Sequence, residues 1–273
     1  MSKINRPNGD TKMQRQRKLK SLMAPLALSM LALFAANLSV AGDDSVLKTK
    51  NVMLVHGAWA DGSSWSKVIL LLERRGFHVT AVQLPLTSVA EDVATLQRAM
   101  DLEPGPILLV GHSYAGVVIT EAGNDPKVNG LVYISAYAPN LGQTVFSLNA
   151  LLPETPVNQE IIVDAGFLSL TKEGISADFA QDLPETEKQT LAVTQGPVAA
   201  VAFGTPASAP AWYRKPSWYM VASEDRVISP QLEAMMAQTI NAETITVHSS
   251  HVIMLSRPEA VADFITHAAH GRD

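Results

Sequence analysis

Residues 107–119, Ile-Leu-Leu-Val-Gly-His-Ser-Tyr-Ala-Gly-Val-Val-Ile, leave few ways to fold. A branched apolar run ends at Gly111, and a second apolar run, Val117–Ile119, begins after a few small residues. A strand that turns sharply into a helix fits this pattern, with Ser113 at the tip of the turn. There a serine is strained and exposed, its hydroxyl points out of the sheet, and the neighbouring backbone N–H groups are free to bind an anion. Nucleophilic attack on an acyl group needs all of these.

The rest of the chain alternates in the same way. Apolar runs at Val52–Val55, His78–Leu84, Pro106–Val110, Val128–Ser135, Ser217–Ala222 and Thr244–Val247 read as six strands. Helical patterns lie between them. One runs from Ser64 to Arg75 and is closed by Gly76. Another starts at a capping box of Ser88 and Glu91 and runs to about Asp101. Others start at Tyr114, at Ser229-Pro230, and at Pro258, the last running to about His270. Near-continuous apolar strands alternating with helices predict an α/β fold, a mostly parallel sheet covered on both faces. The rhythm fails from residue 137 to residue 212, which holds seven prolines. This stretch is expected to be an insertion over the carboxyl edge of the sheet, a lid between core segments 51–136 and 213–273. Within it, Ile161–Leu170 reads as a hairpin across Asp164-Ala165-Gly166, and Glu185–Ala202 as helical with a break at Pro197.

Residues 1–41 stand apart. Lys12, Arg15, Arg17, Lys18 and Lys20 precede an apolar run from Leu22 to Leu38, with Ser39 and Ala41 following. This is the layout of a secretory signal peptide cleaved near Ala41, which predicts a periplasmic or secreted protein and no retained membrane anchor. The leader holds seven of the 21 Lys+Arg and one of the 26 Asp+Glu, so residues 42–273 carry a net charge of −11. Such a balance argues against nucleic acid or an anionic membrane as partner. The chain has no cysteine, which removes disulfides, thiolate nucleophiles and zinc–thiolate sites.

A serine hydroxyl becomes nucleophilic when a base takes its proton and a third group holds that base. Candidates stand at the ends of three strands: Ser113 after the third, Asp225 or its neighbour Glu224 after the fifth, and His251 or His248 after the sixth. His251 lies in the loop before the last helix, the better place for a base, whereas His248 ends a strand. His56 and His112 read as structural, and His267 with His270 as a solvated helix face rather than a metal site. Trp59, Tyr137 and Met254 are candidates for the substrate pocket, with plain core packing as the alternative.

The sequence resembles the α/β-hydrolase superfamily over residues 51–270. The stretches that carry the resemblance are Leu54-Val55-His56-Gly57-Ala58-Trp59, Gly111-His112-Ser113-Tyr114-Ala115-Gly116, Ser223-Glu224-Asp225-Arg226, and His251-Val252-Ile253-Met254-Leu255 ahead of Arg257-Pro258-Glu259. It is similar to the small six-stranded type found in plant methylesterases, hydroxynitrile lyases and bacterial esterases. Only Ala41–Lys50 is available for the two antiparallel strands that often precede the first parallel one. The resemblance implies Ser113 as nucleophile, His251 as base, Asp225 as its orienter, and the N–H groups of Ala58 and Tyr114 as the oxyanion hole. It implies a cofactor-free, metal-free hydrolase of small carboxylic esters. Lactone hydrolysis by the same groups, a hydroxynitrile-type lyase and a non-catalytic binding protein are the alternatives. One departure stands out: the usual motif has glycine two residues after the serine, where this chain has Ala115.

Overall fold

The computed structural model describes residues 48–271. The leader and the expected cleavage at Ala41 lie outside the described residues. The first half runs β1 (Asn51–Val55), α1 (Ser66–Arg74), β2 (His78–Val82), α2 (Val89–Asp101), β3 (Ile107–His112), α3 (Ala115–Ala122) and β4 (Val128–Ile134). An insertion follows, with α4 (Val145–Asn149), β5 (Ile161–Asp164), β6 (Phe167–Leu170), α5 (Lys172–Gly174), α6 (Glu185–Thr194), β7 (Val198–Ala199) and α7 (Ala200–Gly204). The chain then returns through β8 (Ser217–Ala222), α8 (Pro230–Thr239), β9 (Glu243–Val247), α9 (Ile253–Ser256) and α10 (Pro258–His270).

Six strands pair in the order β2-β1-β3-β4-β8-β9, all parallel. No antiparallel strand joins this sheet among the described residues. β1, β3 and β8 are buried along their whole length, as their unbroken apolar runs predict. The edges differ from that expectation. β2 (His-Val-Thr-Ala-Val) is only partly buried and β9 (Glu-Thr-Ile-Thr-Val) is largely open to solvent, and their His, Thr and Glu side chains suit an edge that must not recruit further strands.

Parallel crossovers are right-handed, so direction of travel decides the face each helix covers. From β1 the chain steps to β2 on one side, then crosses back to β3 and continues outward to β9. The crossover helix α1 therefore covers one face, while α2, α3 and α8 cover the other. α1 packs against α10, and α2 against α3. The reversal leaves a switch point between β1 and β3, where Val55 sits beside Gly111. Ligands of open parallel sheets bind in the crevice at the carboxyl ends of the strands at such a point.

Local signals place most element ends. Asp61 caps a 3-10 turn at Gly62–Trp65 that leads into α1, so the helix expected from Ser64 begins as this tighter turn. Gly76 takes the left-handed conformation after α1, with φ 84°. Ser88 accepts the Glu91 N–H, but Glu91 does not return the bond, so the capping box is half formed. The third strand runs to His112, two residues beyond the apolar run, because Gly111 and His112 still pair with β4.

Residues 135–216 contain the insertion. Its hairpin forms where expected, Asp164 pairing with Phe167 across Ala165-Gly166. Glu185–Ala202 is not one helix. α6 ends at Thr194, and beyond Pro197 the residues Val198 and Ala199 extend as β7 to pair with β6. Pro197 lacks an N–H and biases its predecessor away from the helical region, which favours this break.

The hairpin loop has both central residues at positive φ, Ala165 at 47° and Gly166 at 82°. Two such residues in a two-residue loop mark a type I′ turn, whose preferred sequence is Asn-Gly. Ala165→Asn is expected to raise stability by up to ~1 kcal/mol, because alanine is strained in the left-handed region and asparagine much less so. Thermal unfolding checks this, and a melting temperature equal to or below that of the parent contradicts it.

Candidate active site

Ser113 is the first residue after β3 and has φ 56°, a left-handed conformation that costs an ordinary side chain roughly 1–2 kcal/mol. The end of β4 holds it there. The Ser113 N–H points at the carbonyls of Ile134 and Ser135, at 3.3 and 3.2 Å, and the Ser113 carbonyl accepts from Gly116 and Tyr137 at 3.0 and 3.1 Å. In a trans peptide the C=O and the following N–H point in opposite directions. The two bonds to the Ser113 carbonyl therefore aim the Tyr114 N–H the other way. Among the described residues that N–H has no acceptor, and neither has the Ala58 N–H.

These two groups belong to the two chains that leave the sheet at the switch point. A Cβ at Gly57 would stand 2.6 Å from the Ser113 Cβ and 2.9 Å from the His112 carbonyl, so only glycine lets the turns meet. The departure at Ala115 also has a physical reading. Ala115 is fully buried, and the tight approach falls one residue later, at Gly116, where a Cβ would lie 2.1 Å from the Tyr137 carbonyl. In this elbow Gly111 and Gly116 carry the steric requirement that the usual motif places two residues before and two residues after the serine.

Asp225 and His251 are both buried, and His251 Nδ1 lies 2.6 Å from Asp225 Oδ2. The other carboxylate oxygen accepts the backbone N–H groups of Val227 at 2.7 Å and Ile228 at 2.9 Å. This fixes the carboxylate on the loop after β8. His251 Nε2 is buried and has no hydrogen-bond partner among the described residues. The two rivals occupy the surface instead: Glu224 and His248 form an exposed pair 3.5 Å apart. Ser113 is 3% exposed, so the site is enclosed.

The remaining candidates fall as follows. Trp59 has φ 58°, donates its indole N–H to the Leu168 carbonyl of β6 at 3.0 Å, and packs edge-on to Phe179 and Phe203. Tyr137 is buried with its hydroxyl on Asn149 Oδ1 at 3.0 Å. Met254 is fully buried in the core cluster on α9. His56 accepts the Leu84 N–H on Nε2 and donates from Nδ1 to the Gly57 carbonyl, a structural pairing, and burial pushes its pKa down. His267 pairs with Glu243 and His270 with the Thr266 carbonyl, and no metal-binding cluster occurs among the described residues. Lys215 donates to the carbonyls of Asp125 and Val128 at the amino end of β4.

Three residues were not legible as part of the site. His112 donates from Nε2 to the His251 carbonyl at 3.0 Å, with the two rings 4.7 Å apart. Burial, and then the neighbouring His251, drive its pKa well down, so it stays neutral beside His251. Glu233, on α8, is fully buried; one oxygen accepts the Ala222 N–H at 3.1 Å and the other has no donor. Burial first, and the neighbouring Asp225 second, raise its pKa well above the ordinary carboxyl value. Phe179, in the insertion, packs its ring 5.2 Å from that of His251. Only the helical spacing of α8 hinted at burial for Glu233, and nothing in the sequence tied Phe179 to His251.

The profile of the alpha/beta hydrolase family matches residues 52–264. The chain belongs to this family. It is similar to alpha/beta hydrolase nvfD of Aspergillus novofumigatus, with 26% identity over 241 residues that cover 80% of this chain and 96% of that one. It is also similar to methylesterase 2 of Arabidopsis thaliana, at 22% identity over 254 residues, covering 80% and 95%. Among solved structures, a pyrethroid hydrolase superposes with a TM-score of 0.68 at 25% identity, covering 81% of this chain and 98% of that one. Family membership makes this alpha/beta hydrolase a hydrolase and fixes its fold.

Glu233 generates a prediction about stability. Its folded pKa lies above the unfolded value of about 4.5, so the folded state holds a proton that the unfolded state has released. Its contribution is complete below that value and declines as pH rises toward the folded pKa. Glu233→Gln keeps the shape and cannot ionise. Its melting temperature relative to the parent should climb steadily as pH is raised from 4.5, measured by thermal denaturation across a pH series. A difference that stays flat with pH contradicts the reading.

Proposed function

We propose that the protein is a serine carboxylesterase that cleaves small carboxylic esters through an acyl-enzyme. The observation that carries this reading is the division of labour on one imidazole. His251 Nδ1 lies on the Asp225 carboxylate, its buried Nε2 has no hydrogen-bond partner among the described residues, and its ring stands 4.7 Å from that of His112, the residue before the strained Ser113. Asp225 holds the tautomer in which Nε2 is the basic nitrogen. The names of the relatives, a methylesterase and a pyrethroid hydrolase among them, support an ester as substrate.

In this reading Ser113 Oγ attacks the ester carbonyl carbon as His251 Nε2 takes its proton. The carbonyl π bond becomes an oxyanion, which accepts the N–H groups of Ala58 and Tyr114. When the tetrahedral species collapses, the C–O bond to the alcohol breaks and His251 returns the proton to the departing oxygen. Water then attacks the acyl-serine while His251 takes a proton from it. The second collapse frees the acid and gives the proton back to Ser113. Each oxyanion donor contributes about 3 kcal/mol by mutational precedent. No cofactor or metal enters any step.

Trp59, Phe179, Phe203, Tyr137 and Met254 would give the pocket an apolar wall. With Ser113 enclosed, a substrate enters only if the insertion moves, which supports reading residues 137–212 as a lid. We infer from the basic-then-apolar leader that the enzyme is exported; N-terminal sequencing of protein recovered outside the cytoplasm should begin close after Ala41.

A fluorophosphonate probe followed by peptide mapping, run beside a p-nitrophenyl ester series, tests the mechanism. The label should land on Ser113, and Ser113→Ala should lose kcat by on the order of 10⁴-fold or more. Turnover of the esters at the parental rate by Ser113→Ala would overturn it.

A further inference from the structure

Tyr114 contributes more to its surroundings than a backbone N–H. Its hydroxyl, fully buried, donates to Asp92 Oδ2 at 2.7 Å. Asp92 is itself fully buried on the first turns of α2, and its other oxygen accepts the Leu86 N–H at 2.8 Å. Leu86 has φ 58°, a conformation a leucine holds only when its surroundings impose it. The Leu86 carbonyl in turn accepts the Ala199 N–H of β7 at 2.8 Å. One carboxylate thus joins the oxyanion-site residue to a strand of the insertion.

A second path runs beside the first. The Tyr114 ring lies 5.6 Å from Phe203 of α7, the helix that continues directly from β7. Phe203 also meets Trp59 at 6.0 Å, and Trp59 is the residue after Ala58, the other proposed oxyanion donor. Both donors are therefore flanked by aromatic rings that close on the same insertion residue. The Ser113 end of the Ser113–Tyr114 peptide is fixed by β4, and the Tyr114 end is fixed by the side chain that Asp92 holds.

We propose that Asp92 is a positioning residue for the oxyanion hole, joining the Tyr114 hydroxyl to the Leu86–Ala199 contact so that the anion-binding N–H is aligned only when the insertion is docked. The inference rests on the reading of Tyr114 as an oxyanion donor. Burial raises the Asp92 carboxyl pKa, with the Tyr114 hydroxyl and the Leu86 N–H opposing that rise. Burial also lifts the phenol pKa far above its ordinary value, so Tyr114 stays a donor throughout the range of an assay.

Tyr114→Phe removes the hydroxyl and keeps the ring and the backbone N–H. It should lower kcat for a p-nitrophenyl ester about tenfold, less than the loss of a whole donor, and weaken inhibition by an aryl trifluoromethyl ketone by the same factor. KM should change by no more than about twofold. Asp92→Asn should do the same, and the double variant should be no worse than the weaker single one, because both break one link. If Tyr114→Phe keeps kcat and ketone affinity near parental values while only its melting temperature falls, the hydroxyl is structural and the proposal is wrong. Losses that multiply in the double variant also overturn it. Tyr114→Phe decides alone if Asp92→Asn fails to fold. An active Ser113→Ala would remove the serine mechanism itself, whereas an inactive Ser113→Ala beside a fully active Tyr114→Phe removes only the role given to Asp92.

Discussion

Between β1 and β3 two chains leave the sheet side by side, and only the hydrogen of Gly57 fits between one turn and the Cβ of Ser113. This close approach sets the geometry of everything around it. It comes from the reversal of strand order at the switch point, which brings the loop after the first strand against the loop after the third. It demands glycine on one side and a left-handed residue on the other. The strain at Ser113 is held by four backbone contacts to the end of β4 and the start of α3 and by burial of the elbow, so the sheet stabilises what the local chain would not adopt alone.

Around that elbow several buried polar atoms lack partners, and in a dry interior each is informative. Asp225 is surrounded by donors: two backbone N–H groups and the His251 ring. His112 is kept neutral by burial and spends its one N–H on the His251 carbonyl. Glu233 lies behind the pair and is held protonated by the same desolvation. Among the described residues, His112 Nδ1, Ser135 Oγ, Ser250 Oγ, His251 Nε2 and one Glu233 oxygen are buried without a hydrogen-bond partner, and the N–H groups of Ala58 and Tyr114 have no acceptor.

The insertion is fastened to the loops that carry the candidate acid and base. Asp182 accepts the Ser250 N–H at 3.0 Å, Gln181 reaches the Glu224 carbonyl at 2.6 Å, and Arg226 meets Asp178 at 3.5 Å. Thr155 donates to the Val227 carbonyl at 3.0 Å. Phe179 and Phe203 of the same insertion pack edge-on to Trp59 of the loop after β1, and Phe179 also meets His251. The segment hardest to read in the chain thus sits against the residues easiest to find.

Asp225 was preferred to Glu224 only through the family resemblance, whereas the linear chain determined the α/β class, the six strands and the turn that holds Ser113, because each depends on local signals: apolar runs, glycine at turns and proline at helix starts. It misjudged the helix beyond Thr194, where pairing with β6 outweighed helical composition, and it ended β3 too soon because pairing with β4 carries the strand past its apolar run. The tertiary structure alone decided that Glu224 and His248 face water, that Glu233 lies buried behind Asp225, and that Asp92 takes the Tyr114 hydroxyl. These partners are brought together by crossovers between strands. Their spacing along the chain carries no trace of that meeting, since a side chain's burial and charge state depend on what folds over it and not on what precedes it.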